Sequence, residues 1–171
     1  YLRGNNPAGI FHTLNNYTNF VITGQVAASG SVMSLLDGEG TSTEIPYKMC
    51  FYRLFMGCEG LVQAPELPAT TLAEECYKDM FQECGISETP QLPAKELEEG
   101  CYEGMFANCA NLSQVTELPA LTMKQRCYSN MFSNCANLVQ APELPATTMA
   151  IDCYLAMFEQ TAIVQAPSLP S

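Results

Sequence analysis

Tryptophan is absent from this chain, histidine occurs once, and basic residues number 7 against 18 acidic ones. Each shortage excludes something. A lone His12 offers no imidazole cluster for a metal, and a Cys–His dyad would need that ring beside one particular cysteine. The scarcity of Lys and Arg, with a net charge of −11 over 171 residues, speaks against nucleic acid, because phosphate contacts need basic side chains on one face. An anionic membrane surface is disfavoured by the same repulsion. No apolar run approaches the roughly 20 residues of a membrane helix, so no membrane insertion is expected of this segment. No G-x-S-x-G, P-loop or G-x-G-x-x-G is present, and no cofactor is implied. Charged residues make up only 15% of the chain, which leaves solvation largely to Ser, Thr, Asn, Gln and the backbone, with the acidity serving solubility.

The chain does contain a repeat. The stretches CFYRLFMGC, CYKDMFQEC, CYEGMFANC, CYSNMFSNC and CYLAMFEQT begin at Cys50, Cys76, Cys101, Cys127 and Cys153, in steps of 25 or 26 residues. Between them run LVQAPELPATTLAEE, ISETPQLPAKELEEG, LSQVTELPALTMKQR and LVQAPELPATTMAID, then a shortened IVQAPSLPS. This period falls in the leucine-rich-repeat range. A unit this short cannot bury its own apolar face, so like residues should stack in columns through a shared core. The expected columns are Phe55, Phe81, Phe106, Phe132, Phe158; Leu54, Met80, Met105, Met131, Met157; Leu61, Ile86, Leu112, Leu138, Ile163; Leu67, Leu92, Leu118, Leu144, Leu169; and Leu72, Leu97, Met123, Met149. The fold expected is a leucine-rich-repeat solenoid of short parallel strands and helical or 3-10 turns. A short strand is expected over L-x-x-A-P-E-L-P, with Pro65, Pro90 and Pro142 each deleting a ladder donor and Thr116 restoring one. The A-x-x-L-A-x-x-C-Y-x-x-M-F-x-x-C stretch has apolar spacings of three and four and is expected to form one or two helical turns, starting near Ala69–Thr71 and Ala146–Thr148.

Residues 48–171 thus hold five units, the last truncated. Residues 1–47 do not repeat. Thr18 to Gly24, Val26 and Ser31 to Leu36 read as strands broken at Gly24 and Gly30, giving a small N-terminal β cap over the first coil.

Met80-Phe81-Gln82-Glu83-Cys84, Met105-Phe106-Ala107-Asn108-Cys109 and Met131-Phe132-Ser133-Asn134-Cys135, each with the segment after it, resemble the BspA-like class of leucine-rich repeats and the related repeats of mycoplasma-type surface proteins. The unit is longer than the usual one of that class, and A-P-E-L-P is an insertion. The resemblance implies a secreted or surface-exposed bacterial protein, of a kind that includes adhesins.

Nine cysteines form two columns, Cys50, Cys76, Cys101, Cys127, Cys153 and Cys58, Cys84, Cys109, Cys135. Coils about 5 Å apart would allow vertical disulfides, whereas the two cysteines of one unit, eight residues apart, are a poor pair. The odd total and Thr161 in one column favour buried free thiols. Glu66, Gln91, Glu117 and Glu143 recur at one position and form a candidate binding row, with a solvated edge as the plainer alternative. Tyr77, Tyr102, Tyr128 and Tyr154 form a second candidate row, able to stack on sugar or peptide if exposed, or packed between coils with hydroxyls at the surface.

The sequence therefore points to a non-enzymatic extracellular recognition or adhesion scaffold binding a protein or glycan through one face. The alternative is a structural spacer within a larger surface protein. The chain opens without an initiator Met or hydrophobic leader and stops partway through a unit. It is expected to be a piece of something longer, or to self-associate through its C-terminal end.

Overall fold

The computed structural model describes residues 4, 6, 10–13 and 16–170, with only the backbone of 11–13 and 16. The chain is built mainly of short parallel strands and turns, with little helix and no closed barrel. Strand β1 (Phe11–Thr13) pairs antiparallel with β2 (Asn16–Tyr17). Strand β3 (Val26–Ala27) pairs in parallel with β4 (Leu61–Gln63). Strands β5 (Glu96–Leu97), β6 (Thr122–Met123) and β7 (Thr148–Met149) form a three-stranded parallel sheet, with Glu96 opposite Thr122 and Thr122 opposite Thr148. Partners one repeat apart in sequence are thus neighbours in space, and the units stack.

The helical turns expected over C-Y-x-x-M-F-x-x-C are not there. The one α-helix among the described residues is α1 (Ser34–Asp37). In their place each unit carries a ribbon of four-residue turns. In the first, the N–H groups of Tyr52, Leu54, Met56 and Cys58 close turns on the carbonyls of Met49, Phe51, Arg53 and Phe55 at 3.0–3.3 Å. The alternate N–H groups of Phe51, Arg53, Phe55 and Gly57 leave the ribbon and bond the carbonyls of Cys76, Lys78, Met80 and Gln82 in the next unit at 2.8–3.1 Å. Every fourth residue has positive φ, as in Glu75 (51°), Asp79 (54°) and Glu83 (61°), then Gly100, Gly104 and Asn108, then Arg126, Asn130 and Asn134.

The spacing explains why. Buried residues come in pairs at a period of four: Cys76 and Tyr77, Met80 and Phe81, then Cys84. A 3.6-residue helix would turn the last member about 80° from the first, whereas a four-residue turn returns it to the same side. A helix would also use its N–H groups internally. The ribbon sends alternate donors to the neighbouring unit, and that ladder offsets the 1–2 kcal/mol or so that left-handed backbone costs a non-glycine residue.

The strands also lie elsewhere than expected. Only Leu61–Gln63 of the L-x-x-A-P-E-L-P stretches is a named strand, helped by isolated bridges Ser31–Glu66 and Glu88–Gln114. Strands β5 to β7 fall in A-x-x-L, where Ala146–Thr148 was expected to begin a helix; Thr71 likewise bridges Glu44. The prolines interrupt the ladder one step earlier, and it resumes once they are passed. Thr116 does not restore a strand donor, since its N–H bonds the Thr89 hydroxyl at 2.9 Å.

The segment before Cys50 continues the stack. Phe20 N–H bonds the Leu54 carbonyl at 2.8 Å, Val26 that of Gly60 at 2.8 Å and Ile45 that of Thr71 at 2.9 Å. Ser31 to Leu36, expected as strand, makes a bridge and then turns into α1. The loop after α1 is tied by four N–H groups, from Glu39 to Ser42, donating to the Asp37 carboxylate at 2.5–3.0 Å.

The core consists of the expected columns. Phe20, Phe55, Phe81, Phe106, Phe132 and Phe158 stack with centroids 4.9–5.9 Å apart and interplanar angles of 23° or less. In units 1 to 4 the leucine, isoleucine and methionine columns are buried except at Met149, which is exposed; in unit 5 Met157 is buried, Ile163 half-buried and Leu169 exposed.

Candidate functional site

All nine cysteines are buried and free. The second column is also a set of weak donors: Cys58, Cys84, Cys109 and Cys135 point their Sγ at the carbonyls of Phe20, Phe55, Phe81 and Phe106, at 2.9–3.1 Å. Thr161 keeps the donor but turns it to its own unit, 2.9 Å from the Phe158 carbonyl. Burial pushes the thiols of Cys50 and Cys84 up to about 12 and that of Cys135 to about 11. These are protonated thiols, unlike the thiolate that a nucleophile or metal ligand requires.

A pH dependence follows. Unfolded thiols lose protons near their ordinary pKa while the folded ones keep theirs. Above about pH 9 the unfolded state binds fewer protons, so stability must fall as pH rises toward 12. The urea midpoint, flat near neutrality, is expected to drop steadily between pH 9 and 11 at constant ionic strength. A midpoint that rises over that range contradicts the burial of these groups.

The tyrosine row lies inside. Tyr77, Tyr102 and Tyr128 are at most 2% exposed, and Tyr154 is half-buried. Phe51, Tyr77, Tyr102, Tyr128 and Tyr154 form a second ring stack at 5.5–6.0 Å. The hydroxyls do not reach the surface as expected: those of Tyr77 and Tyr102 are buried with no hydrogen-bond partner among the described residues. Burial raises the phenols of Tyr77, Tyr102 and Tyr128 far above the ordinary value. Tyr77, Tyr102 and Tyr128 are too buried to present a binding face, whereas Tyr154 keeps partial exposure.

Glu66, Gln91, Glu117 and Glu143 are exposed along the other side. Glu117 and Glu143 line a groove of about 700 Å³ between units 3 and 4, together with Gln114 and Gln140. Glu66 and Gln91 lie outside it. The ladder is open there. Between units 2 and 3, Ser113 and Gln114 donate to the Ser87 carbonyl at 3.0 and 3.2 Å, and Thr89 donates to that of Gln114 at 3.2 Å. Between units 3 and 4 the corresponding Val139, Gln140 and Val115 N–H groups make no backbone bond among the described residues. Thr116 and Thr89 hold the closed junction by mutual hydrogen bonds, and Pro142, which stands at the Thr116 position, can do neither part. The site is thus polar main chain and amide side chains, flanked by two carboxylates.

A third feature is an ion-pair ladder along the ribbon. Lys48 pairs with Glu74, Lys78 with Glu75 and Glu103 at 3.1 and 3.2 Å, Arg126 with Glu99 at 2.9 Å, and Arg53 with Asp79 at 3.1 Å. The Arg53 guanidinium also sits 4.8 Å from the Tyr52 ring centroid. Burial pushes the Asp79 carboxyl up despite Arg53. Burial acts the same way on Glu75, but the Lys78 and Lys48 ammoniums win and hold its carboxyl down. The signal for this ladder was opposite charges one repeat apart. The two exposed pairs, Lys48–Glu74 and Arg126–Glu99, contribute about 0–1 kcal/mol each.

His12 lies in β1, and its side chain is outside the described residues. No group of three or more His, Cys, Asp or Glu side chains gathers as a metal site among the described residues, and no helix is long and apolar enough to cross a membrane. Comparison with protein-family models, with curated proteins and with solved structures finds no match.

Proposed function

We propose that the stack is a leucine-rich-repeat solenoid of BspA-like kind, secreted or held at a bacterial cell surface, which serves as a non-enzymatic recognition and adhesion scaffold. The carrying observation is the groove between units 3 and 4, where main-chain groups with no backbone partner among the described residues meet exposed Gln114, Gln140, Glu117 and Glu143. Main-chain donors and acceptors beside amides suit the hydroxyl-rich or peptide surface of a glycan or protein ligand. Protonated buried thiols and buried phenols supply support, since neither is poised as a nucleophile.

The test is binding of the purified chain to glycan and host-matrix panels, repeated with Glu117→Arg and Glu143→Arg together. Both side chains are exposed, so the stack should survive. A ligand bound by the native chain and weakened about tenfold or more by the double variant supports the reading. Absence of binding across broad panels, or adhesion that tolerates substitution evenly over the whole surface, favours a spacer instead.

A further inference from the structure

The groove between units 3 and 4 is bordered by main-chain groups of both polarities. At the closed junction one step earlier, the Ser87 carbonyl accepts from Ser113 and Gln114, and the Gln114 carbonyl accepts from Thr89, at 3.0–3.2 Å. At the groove the matching donors are the N–H groups of Val139, Gln140 and Val115, and the matching acceptors are the carbonyls of Ser113 and Gln140. None of these groups has a main-chain partner among the described residues. Polypeptide main chain, which carries donors and acceptors in alternation, answers both sets.

Charge narrows the occupant further. Exposed Glu117 and Glu143 line the groove and no Lys or Arg does, in a chain of net charge −11. Lys48, Arg53, Lys78, Lys124 and Arg126 are held in ion pairs elsewhere. A segment bearing Lys or Arg complements the site, whereas an anionic one meets two carboxylates. A strand takes about 160 Å³ per residue, from its rise, its spacing to a neighbour and the thickness of a layer, so the groove of about 700 Å³ holds about four residues.

Another coil of the stack does not fit there. The groove is closed on one side by Thr147 and Thr148, which donate to the Leu121 carbonyl at 3.1 and 3.2 Å, and on the other by the ribbon bonds of Phe106 and Asn108 at 3.0 and 2.8 Å. The T-E-L-P and P-E-L-P segments of the repeat would also set a further Glu against Glu117 and Glu143.

We propose that this groove binds an extended basic peptide segment, which exchanges main-chain hydrogen bonds with Ser113, Val115, Val139 and Gln140 and places Lys or Arg on Glu117 and Glu143. The proposal rests on the reading above that the groove is the binding site, and it commits that site to polypeptide over glycan.

The experiment uses the full chain and a short, capped, labelled peptide of alternating lysine and threonine. The expected result is saturable binding with a Kd on the order of tens of micromolar by fluorescence polarisation, weakening as salt is added. Hydrogen exchange at the Val115, Val139 and Gln140 amides should slow about tenfold, while Ser113 and Gln114, already bonded to Ser87, stay unchanged. Glu117→Gln with Glu143→Gln should weaken binding about tenfold or more. N-methylation of the peptide nitrogens, which removes main-chain donors and keeps the charges, should weaken it by a similar factor. The proposal is overturned if the N-methylated peptide or a glutamate-for-lysine counterpart binds as well, if the double variant has no effect, or if no peptide binds at about 1 mM. A glycan panel separates this inference from the reading it rests on. A glycan that binds, and is lost on Glu117→Arg with Glu143→Arg while the basic peptide stays unbound, overturns the peptide assignment and keeps the groove as the site. Failure of both glycans and peptides to bind overturns the two together.

Discussion

Phe106→Ala is expected to destabilise the chain by about 3–5 kcal/mol, the range for removing a large aromatic from a core that cannot collapse around the gap. Phe106 is fully buried, with Phe81 and Phe132 on its two faces at 5.7 and 5.8 Å. Its loss strips one face from each neighbour. Main-chain bonds on both sides hold the coils at fixed separation, so the rings cannot close up. Because each unit touches only its neighbours, the lesion should also weaken coupling between the two halves of the stack. Urea unfolding followed by circular dichroism should show a lower midpoint and a broadened or biphasic transition. The same change at Phe158, half-buried with one stacked face, should cost roughly half as much. A Phe106→Ala loss below about 1 kcal/mol would contradict the stack.

Gly85→Ala should cost about 3 kcal/mol, although it adds one methyl group. A Cβ at Gly85 would lie 2.0 Å from the Glu59 carbonyl oxygen. That atom belongs to the backbone of the preceding unit and cannot rotate away. The two coils must separate at the corner where ribbon passes into strand. Gly104 offers an informative contrast. Its Cβ would meet Asp79 Oδ1 at 2.3 Å, a side-chain atom that can move at the expense of the Arg53 pair, so Gly104→Ala should cost less and should raise the exposure of Arg53. Equal, small losses at both positions would mean that the coils are not in close contact at Gly85.

Periodicity decides which parts of the fold are legible in the residues. Columns such as Phe55 to Phe158 and Leu67 to Leu144 are legible because like residues recur at 25 or 26 positions and a stack must superpose them. What fills the space between columns was misread at C-Y-x-x-M-F-x-x-C. Spacings of three and four suit a helix over a short stretch, and they suit a four-residue turn equally well. The distinguishing signal was the residue before each buried pair. Asp79, Gly100, Gly104, Asn130 and Asp152 stand at that position and tolerate left-handed backbone, whereas Met49, Arg53, Glu75, Arg126 and Ala156 at the same position give no such sign. The candidate row is half legible. Exposed Glu117 and Glu143 follow from polar residues flanking Pro and Leu, whereas the groove beside them has no periodic signature. The tyrosines were ambiguous because a ring next to a buried cysteine satisfies either a face or a core, and the four-residue period decides for the core.

That period is the centre of the account, and Glu83 tests it most directly. Its side chain is exposed, it forms no ion pair among the described residues, and its φ is 61°. Its N–H bonds the Ala107 carbonyl at 2.9 Å, a bond any residue but proline can make. In a turn ribbon, Glu83→Gly relieves left-handed strain and should raise stability by up to about 1 kcal/mol, after allowing for the added freedom of the unfolded chain. In a helix the same substitution should lower stability by about 1 kcal/mol. Denaturant unfolding of Glu83→Gly beside the native chain therefore separates the two by sign: a higher midpoint at unchanged slope is the result this structure predicts, and a lower one would contradict it.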